Sequence, residues 1–148
     1  MFSKSCEYGL KAVSFIALQS LENRRVKLSE ISNSIESPEA FTAKVLGILA
    51  QHNIIDSVKG PYGGFEMNIA TMKMVNAKKI VEAIDGSSVF TSCVMGLSKC
   101  NHSKPCPLHY KFYKIRNQLD EFLGHITVYD MVKELKQGKS FINLYSKS

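Results

Sequence analysis

A cluster of turn-forming residues in the middle of the chain limits its possible folds more than any other feature. Residues 60–64 read Gly-Pro-Tyr-Gly-Gly, and Lys59 precedes them directly. They separate a run at residues 54–58, which contains several β-branched side chains, from an alternating segment at residues 65–69. Two strand-like segments on either side of a glycine- and proline-rich turn predict a β-hairpin with Lys59 at its tip.

Two short helices are predicted directly before this hairpin. The first covers about residues 29–34. The second runs to about residue 52 and begins at Ser37-Pro38-Glu39, which supplies an N-cap serine, a proline at the first helical position and an acid in the first turn. Helix, turn, helix, hairpin is the order of a winged helix, in which the second helix enters the major groove and the wing lies along the DNA. A helical hairpin and a β-ribbon that only pack together would give the same pattern.

Apolar residues at spacings of three and four predict further helices on both sides of this module. These helices cover residues 5–21, 76–84, 108–126 and 127–136. Asn76 is expected to cap the second of them, and Thr127-x-x-Asp130 resembles a capping box before the last. The stripe at 108–126 is long enough for pairing with a second subunit. The polar tail from Gly138 to residue 148 is expected to be loose.

The expected fold is mainly α with a small β-hairpin wing, a winged helix-turn-helix plus a long dimerisation helix. The expected segments are a DNA-binding domain at 1–86, a cysteine-rich loop at 87–107, and the dimerisation helix with the C-terminal helix and tail at 107–148. A net charge of +6 and a pI near 9.1 suit a polyanionic partner. No apolar run could span a bilayer and no apolar signal core begins the chain, so the protein is expected in the cytoplasm with no membrane partner.

The stretch at residues 93–109 carries the most distinctive chemistry. It holds three of the four cysteines, Cys93, Cys100 and Cys106, followed by His109, with the spacing C-x6-C-x5-C-x2-H. In a reducing compartment such clustering favours metal binding or redox chemistry over disulfides. Thiolates and an imidazole on one loop can hold a metal ion or an iron–sulfur centre. The sequence therefore predicts a metal or iron–sulfur site.

Five segments of the chain match one known family. They are residues 5–10 (SCEYGL), 38–41 (PEAF), 57–65 (SVKGPYGGF), 84–86 (IDG) and 106–109 (CPLH). Through these segments the sequence resembles the Rrf2 family of winged-helix iron–sulfur repressors, which includes IscR and NsrR. The similarity extends to about residue 135, and the Gly-Gly wing with the three-cysteine loop makes it specific.

The resemblance implies a homodimeric transcription regulator, in most cases a repressor, that binds palindromic double-stranded DNA and senses redox change, nitric oxide or iron–sulfur status. By resemblance, Cys93, Cys100 and Cys106 would be thiolate ligands. IscR-like members take the fourth ligand from the position of His109. Some NsrR-like members instead use a carboxylate of the partner subunit, at the position of Glu7. A [2Fe–2S] cluster is favoured over [4Fe–4S], although six residues rather than five between the first two cysteines leave the type open, and the cluster can be absent from protein purified in air.

The resemblance also places DNA contacts on the second helix of the module, the wing and their neighbours. The expected residues are Pro38, Glu39, Ala40, Thr42, Lys44, Lys59, Tyr62, Lys11, Arg24 and Arg25. Thr42 and Lys44 are the candidate base readers. Ala40 and Ala43 stand where IscR-like members have polar side chains that read bases. This protein is therefore not expected to bind the operator sequence of those members. Lys59 replaces an arginine and would act as a point charge on phosphates.

Three other interpretations remain beside this one. Three cysteines and a histidine are also a ligand set found at zinc sites, although the ligands of structural zinc sites are usually closer together in the sequence. A member without metal would be controlled by a small molecule or a partner protein. An enzyme built on Cys106 and His109 finds no other support, since residues 60–64 precede a strand rather than the helix that a phosphate-binding loop requires. The protein is therefore not expected to be an enzyme.

Overall fold

The computed structural model describes residues 2–142, so the part of the expected loose tail beyond residue 142 lies outside the described residues. Within this range the chain forms eight helices and one two-stranded antiparallel sheet. The elements are α1 (Lys4–Leu21), α2 (Leu28–Ser34), α3 (Glu39–Gln51), β1 (Asp56–Val58), β2 (Gly64–Glu66), α4 (Ile69–Met74), α5 (Ala77–Asp85), α6 (Ser88–Thr91), α7 (His109–His125) and α8 (Val128–Lys136). The predicted fold class, mainly α with a β-hairpin wing, is confirmed.

The wing is joined to the rest of the module through Val26, in the connection between α1 and α2. Strand β1 pairs with β2 in the register Ser57 to Phe65, and Val26 forms an isolated antiparallel bridge to Phe65 on the other side. The backbone nitrogens of Val26 and Phe65 lie 3.1 and 2.8 Å from each other's carbonyl oxygens. A Cβ on Gly64 would lie 2.7 Å from the Val26 oxygen, and its φ is +143°. Only glycine fits there without strain.

The hairpin is shorter than the sequence pattern predicted. Ile54 and Ile55 are buried beside the end of α3 and do not belong to β1. Downstream, the side chain of Asn68 accepts a hydrogen bond from the backbone nitrogen of Thr71 and opens helix α4, which was not predicted. Alternating apolar and polar residues over five positions do not distinguish a full strand from the end of a strand followed by a helix cap.

The main hydrophobic core unites the winged-helix module with the C-terminal helix. Val13 and Ile16 of α1 belong to the same buried cluster as Val128 and Val132 of α8. The predicted capping box of α8 is confirmed, because the side chains of Thr127 and Asp130 bond each other's backbone nitrogens. Helix α8 therefore packs with residues of the segment at 1–86 rather than as an extension of α7.

Helix α7 buries one strip and exposes another. His109, Arg116 and Leu123, spaced seven residues apart, are its buried residues. One position earlier, Leu108 (the N-cap residue), Ile115 and Phe122 are 48%, 56% and 61% exposed. The predicted apolar stripe is thus divided, with three of its members left on the surface of the single chain. Among residues 2–142 no helix is long and apolar enough to cross a membrane.

Candidate DNA interface and cysteine-loop site

The N-terminus of α3 presents an exposed surface formed by Pro38, Glu39, Ala40 and Lys44. Thr42 lies on the opposite face and is 1% exposed. Its hydroxyl donates to the carbonyl of Pro38 at 2.9 Å and also contacts the hydroxyl of Ser37. In this conformation the Thr42 hydroxyl is buried and bonded at the start of α3, so its role as a base reader stays a prediction.

The capping of α3 also differs from the prediction. Pro38 itself is the N-cap residue, with a ψ of 137°, and the helix begins at Glu39. The hydroxyl of Ser37 makes no capping bond because it is engaged by Thr42. The sequence pattern therefore predicted the position of the helix correctly, but its first residue is one position later than expected.

Two of the expected phosphate contacts, Arg24 and Arg25, are engaged within the protein. Arg24 Nη2 lies 2.6 Å from an oxygen of Glu30. Arg25 Nε lies 2.9 Å from an oxygen of Glu66 on β2, and its Nη1 lies 3.4 Å from the carbonyl oxygen of Tyr62. Arg25 therefore braces the wing against the connection between α1 and α2.

The wing tip and α1 place the other candidate contacts. Lys59 and the side chain of Tyr62 are exposed on the turn of the hairpin. Lys27 steadies this turn, because its Nζ lies 3.2 Å from the carbonyl oxygen of Pro61. Lys11 is half-buried, with its Nζ 5.8 Å from the centre of the Tyr8 ring. Lys59 is thus an exposed cation at the turn of the wing, and no ion pair among residues 2–142 includes it.

The cysteine loop and the start of α7 form two close pairs of donor residues. The sulfur atoms of Cys93 and Cys106 are 3.7 Å apart. The sulfur of Cys100 is 3.3 Å from Nδ1 of His109, the first residue of α7. Backbone N–H groups of Leu97 and Met95 bond the Cys93 sulfur and lower its pKa. These contacts keep the four expected donors at the junction between the loop and α7.

His102 is a functional candidate that the sequence pattern did not identify. Its Nδ1 lies 2.9 Å from Nε2 of His109, on the side of the ring away from Cys100. The phenol of Tyr110 donates to the His102 carbonyl at 3.3 Å. Burial of His109, followed by the charges of His102 and Arg116, lowers the pKa of His109. A neutral His109 is thereby favoured, with one ring nitrogen held by His102.

Arg116 is the second residue that the sequence pattern did not identify. It is 6% exposed, and its Nη1 donates to the carbonyl of Ser92 at 2.8 Å and to the sulfur of Cys100 at 3.3 Å. It follows His109 by seven residues, so a helical projection of α7 would have placed both on one face. The site therefore combines thiols, imidazoles and one buried cation.

The four expected donors form two close pairs rather than one converging group. Two thiolates on one tetrahedral metal ion, with bonds of about 2.3 Å, have sulfurs about 3.8 Å apart, close to the separation of Cys93 and Cys106. In the described part of the chain, however, no three His, Cys, Asp or Glu side chains converge on a single metal position. Glu7 is exposed on α1 and pairs with Lys4 at 3.4 Å. Two separate pairs suit a centre with two metal ions better than a single zinc ion.

The helix-turn-helix, the wing and the long helix beside it define a winged-helix transcription regulator. The sequence model of the Rrf2 family, described as iron-dependent transcriptional regulators, matches residues 2–134. The chain belongs to the Rrf2 family. It is therefore a transcriptional regulator and not an enzyme, and the expected family is confirmed.

Known proteins similar to this chain support the same class. A protein of Aquifex aeolicus described as an HTH-type transcriptional regulator is 30% identical over 134 residues, 89% of this chain and 91% of that protein. IscR of Xenorhabdus nematophila is 26% identical over 126 residues, 85% of this chain and 75% of its own. The structure of CymR, the global cysteine regulator of B. subtilis, superposes with a TM-score of 0.74 at 18% identity and covers 90% of this chain and 96% of its own. That structural likeness concerns the fold.

Proposed function

We propose that this protein is a homodimeric repressor whose affinity for palindromic DNA is controlled by an iron–sulfur cluster at the cysteine loop. The observation that carries the proposal is the proximity of Cys93 to Cys106 and of Cys100 to His109 at one end of α7. Each iron of a [2Fe–2S] cluster takes two protein ligands, thiolates or imidazoles, and each pair would supply two such donors. The presence of IscR among the relatives supports an iron–sulfur centre. As a regulator of DNA, the protein acts in the cytoplasm.

The DNA-binding surface consists of the start of α3 and the wing. Pro38, Glu39, Ala40 and Lys44 are exposed there, and Lys44 is the candidate base reader. Lys59 and Tyr62 of the wing, with Lys11, Arg24 and Arg25 on the flanks, complete the candidate set. Thr42 positions α3 from its buried side. The positive net charge of +6 supplies general attraction to phosphates.

The loop is the mechanical connection between the candidate DNA-binding and dimer elements. Ser92, at its start, accepts a hydrogen bond from Arg116 of α7. Phe90 of α6 packs in a cluster with Leu123 of α7 and Val81 of α5. When bound, a cluster supplies a redox- and nitric-oxide-reactive centre. The donor residues, by closing the loop onto α7, set the angle between α7 and the module that carries α3.

This angle affects DNA binding through the symmetry of the dimer. The exposed strip of Leu108, Ile115 and Phe122 is the candidate surface for the second subunit. Two recognition helices must then enter major grooves about 34–36 Å apart. A small rotation of α7 relative to α3 changes that spacing in both half-sites. The ordered loop would therefore control the affinity without contacting DNA.

The metal content of protein purified without oxygen tests the proposal. Wild type should contain iron and acid-labile sulfide in near-equal amounts, and the serine variants of Cys93, Cys100 and Cys106 should lose both. Cys6→Ala is the matched control, because Cys6 lies on α1 outside the cysteine loop, is fully buried among apolar side chains, and burial raises its pKa to about 12. Full iron in all three serine variants would contradict the ligand assignment.

A regulator with zinc, or with no metal, is the second candidate. The absence of a three-donor group among residues 2–142 favours the metal-free form over a structural zinc, which takes four converging ligands. Such a protein would respond to a small molecule or a partner protein. Zinc without sulfide in the same assay would support a structural zinc, and neither metal with reactive thiols would support the metal-free form.

A further inference from the structure

Arg116 is a buried cation that forms no ion pair with an acidic group in the described part of the chain. Its side chain lies under the cysteine loop, and none of the ion pairs formed among residues 2–142 includes it. Its Nε is buried and has no hydrogen-bond partner within the same residues. A buried charge without a counter-ion is costly, and removal of its partner destabilises a fold strongly. The position of Arg116 therefore requires negative charge nearby.

The sulfur of Cys100 can carry negative charge and lies within hydrogen-bond distance of Arg116. Arg116 Nη1 lies 3.3 Å from this sulfur and 2.8 Å from the carbonyl oxygen of Ser92, the residue before Cys93. The centre of the Tyr113 ring lies 5.6 Å from Cζ of the guanidinium, a cation–π distance. One side chain of α7 thus contacts the loop next to two of the proposed ligands.

We propose that Arg116 is the counter-charge of the cysteine-loop centre, an inference that rests on the iron–sulfur cluster proposed above. A cluster held by three thiolates and a neutral imidazole is anionic, and reduction adds further negative charge. A fixed cation in a poorly solvated position favours the more negative state. Arg116 therefore raises the reduction potential of the centre and increases its retention.

A purely structural role for Arg116 makes a different prediction. If only the hydrogen bond to Ser92 mattered, a neutral donor such as the glutamine amide would replace it. If the charge matters, lysine at position 116 should restore the reduction potential and the retention of the cluster, and glutamine should not. Arg116→Met, which fills similar space without charge, gives a second neutral variant in case Arg116→Gln does not fold. Lys114→Gln is the matched control, because it removes a charge from an exposed position of the same helix.

The experiment is an equilibrium redox titration of anaerobically purified protein, with iron and sulfide measured on the same samples. We expect a shift to more negative potential and faster cluster loss in Arg116→Gln and Arg116→Met, wild-type values in Lys114→Gln, and values nearer wild type in Arg116→Lys. Wild-type potentials in the neutral variants would overturn this inference but not the proposed function. A shift in Arg116→Lys as large as that in the neutral variants would do the same. Wild type without iron and sulfide would contradict the proposed function and this inference with it.

Discussion

Arg25 and Glu66 form an ion pair that joins the connection after α1 to the second strand of the wing, with Nε and Oε2 2.9 Å apart. The same guanidinium reaches the carbonyl oxygen of Tyr62 near the wing tip. Val26, the next residue, bridges to Phe65 of the same strand. The orientation of the wing is therefore set from the helix-turn-helix module, by residues that a charge count alone would assign to DNA.

The bracing role of Arg25 can be separated from phosphate contact by testing its partner. We expect both Arg25→Gln and Glu66→Gln to lower DNA affinity, because each releases the wing. Both side chains are partly exposed, so the loss in folding free energy should be only about 0–1 kcal/mol. Affinities from fluorescence anisotropy at fixed salt provide the measurement. A gain in affinity in Glu66→Gln would mean that only local charge matters.

Lys59 should contact a phosphate directly. Lys59→Ala is expected to weaken binding to all sequences similarly and to lower the slope of log affinity against log salt by about one. Lys139→Ala, which removes an exposed lysine beyond α8, is the control and should leave the slope unchanged. The same slope in Lys59→Ala and wild type would place the wing tip away from DNA.

The fourth ligand is expected to be His109 rather than Glu7. His109→Ala should reduce iron content or change the visible spectrum, because His109 lies against Cys100 within one chain. Glu7→Ala should leave both unchanged, since Glu7 is exposed and paired with Lys4. The reverse pattern would assign the ligand to Glu7 of the partner subunit.

The metal-free protein should lose stability as the pH falls through the ordinary histidine range near 6.5. Burial lowers the pKa of His109 in the folded state, so the unfolded chain binds the proton first. The free energy of unfolding is therefore highest above this pH range, where His109 is neutral in both states, and it falls below this range. Urea unfolding between pH 8 and about 5 measures the effect, and His109→Gln should flatten it. An equally steep loss in His109→Gln would assign the effect to other groups.

The exposed strip of α7 should form the dimer interface. Ile115→Asp and Phe122→Asp are expected to shift the protein to monomer in sedimentation experiments without unfolding it, since both side chains are exposed in the single chain. Phe141→Asp is the control, because Phe141 is 86% exposed but lies outside α7. A stable dimer in both α7 variants would place the interface elsewhere.

Local signals in the sequence predicted the elements well, because caps and periodic apolar residues act within a few positions. Asn76 and Thr127 cap helices as expected. The burial of Thr42 was not predictable in the same way, since a threonine in the first turns of a helix suits either face. The roles of Arg25 and Arg116 depend on residues 41 and 16 positions away, respectively, and no local pattern encodes such pairs.

The dependence of DNA affinity on the loop centre is tested most directly by one comparison. Duplexes are selected from a random library, separately by iron-loaded and by chelator-stripped protein, and the dissociation constant of each is then measured for both forms at one salt concentration. We expect a difference of about 5- to 150-fold between the forms, the usual range of allosteric coupling, and no response to iron in Cys106→Ser. Equal constants for loaded and stripped protein, with iron and sulfide verified, would contradict this dependence.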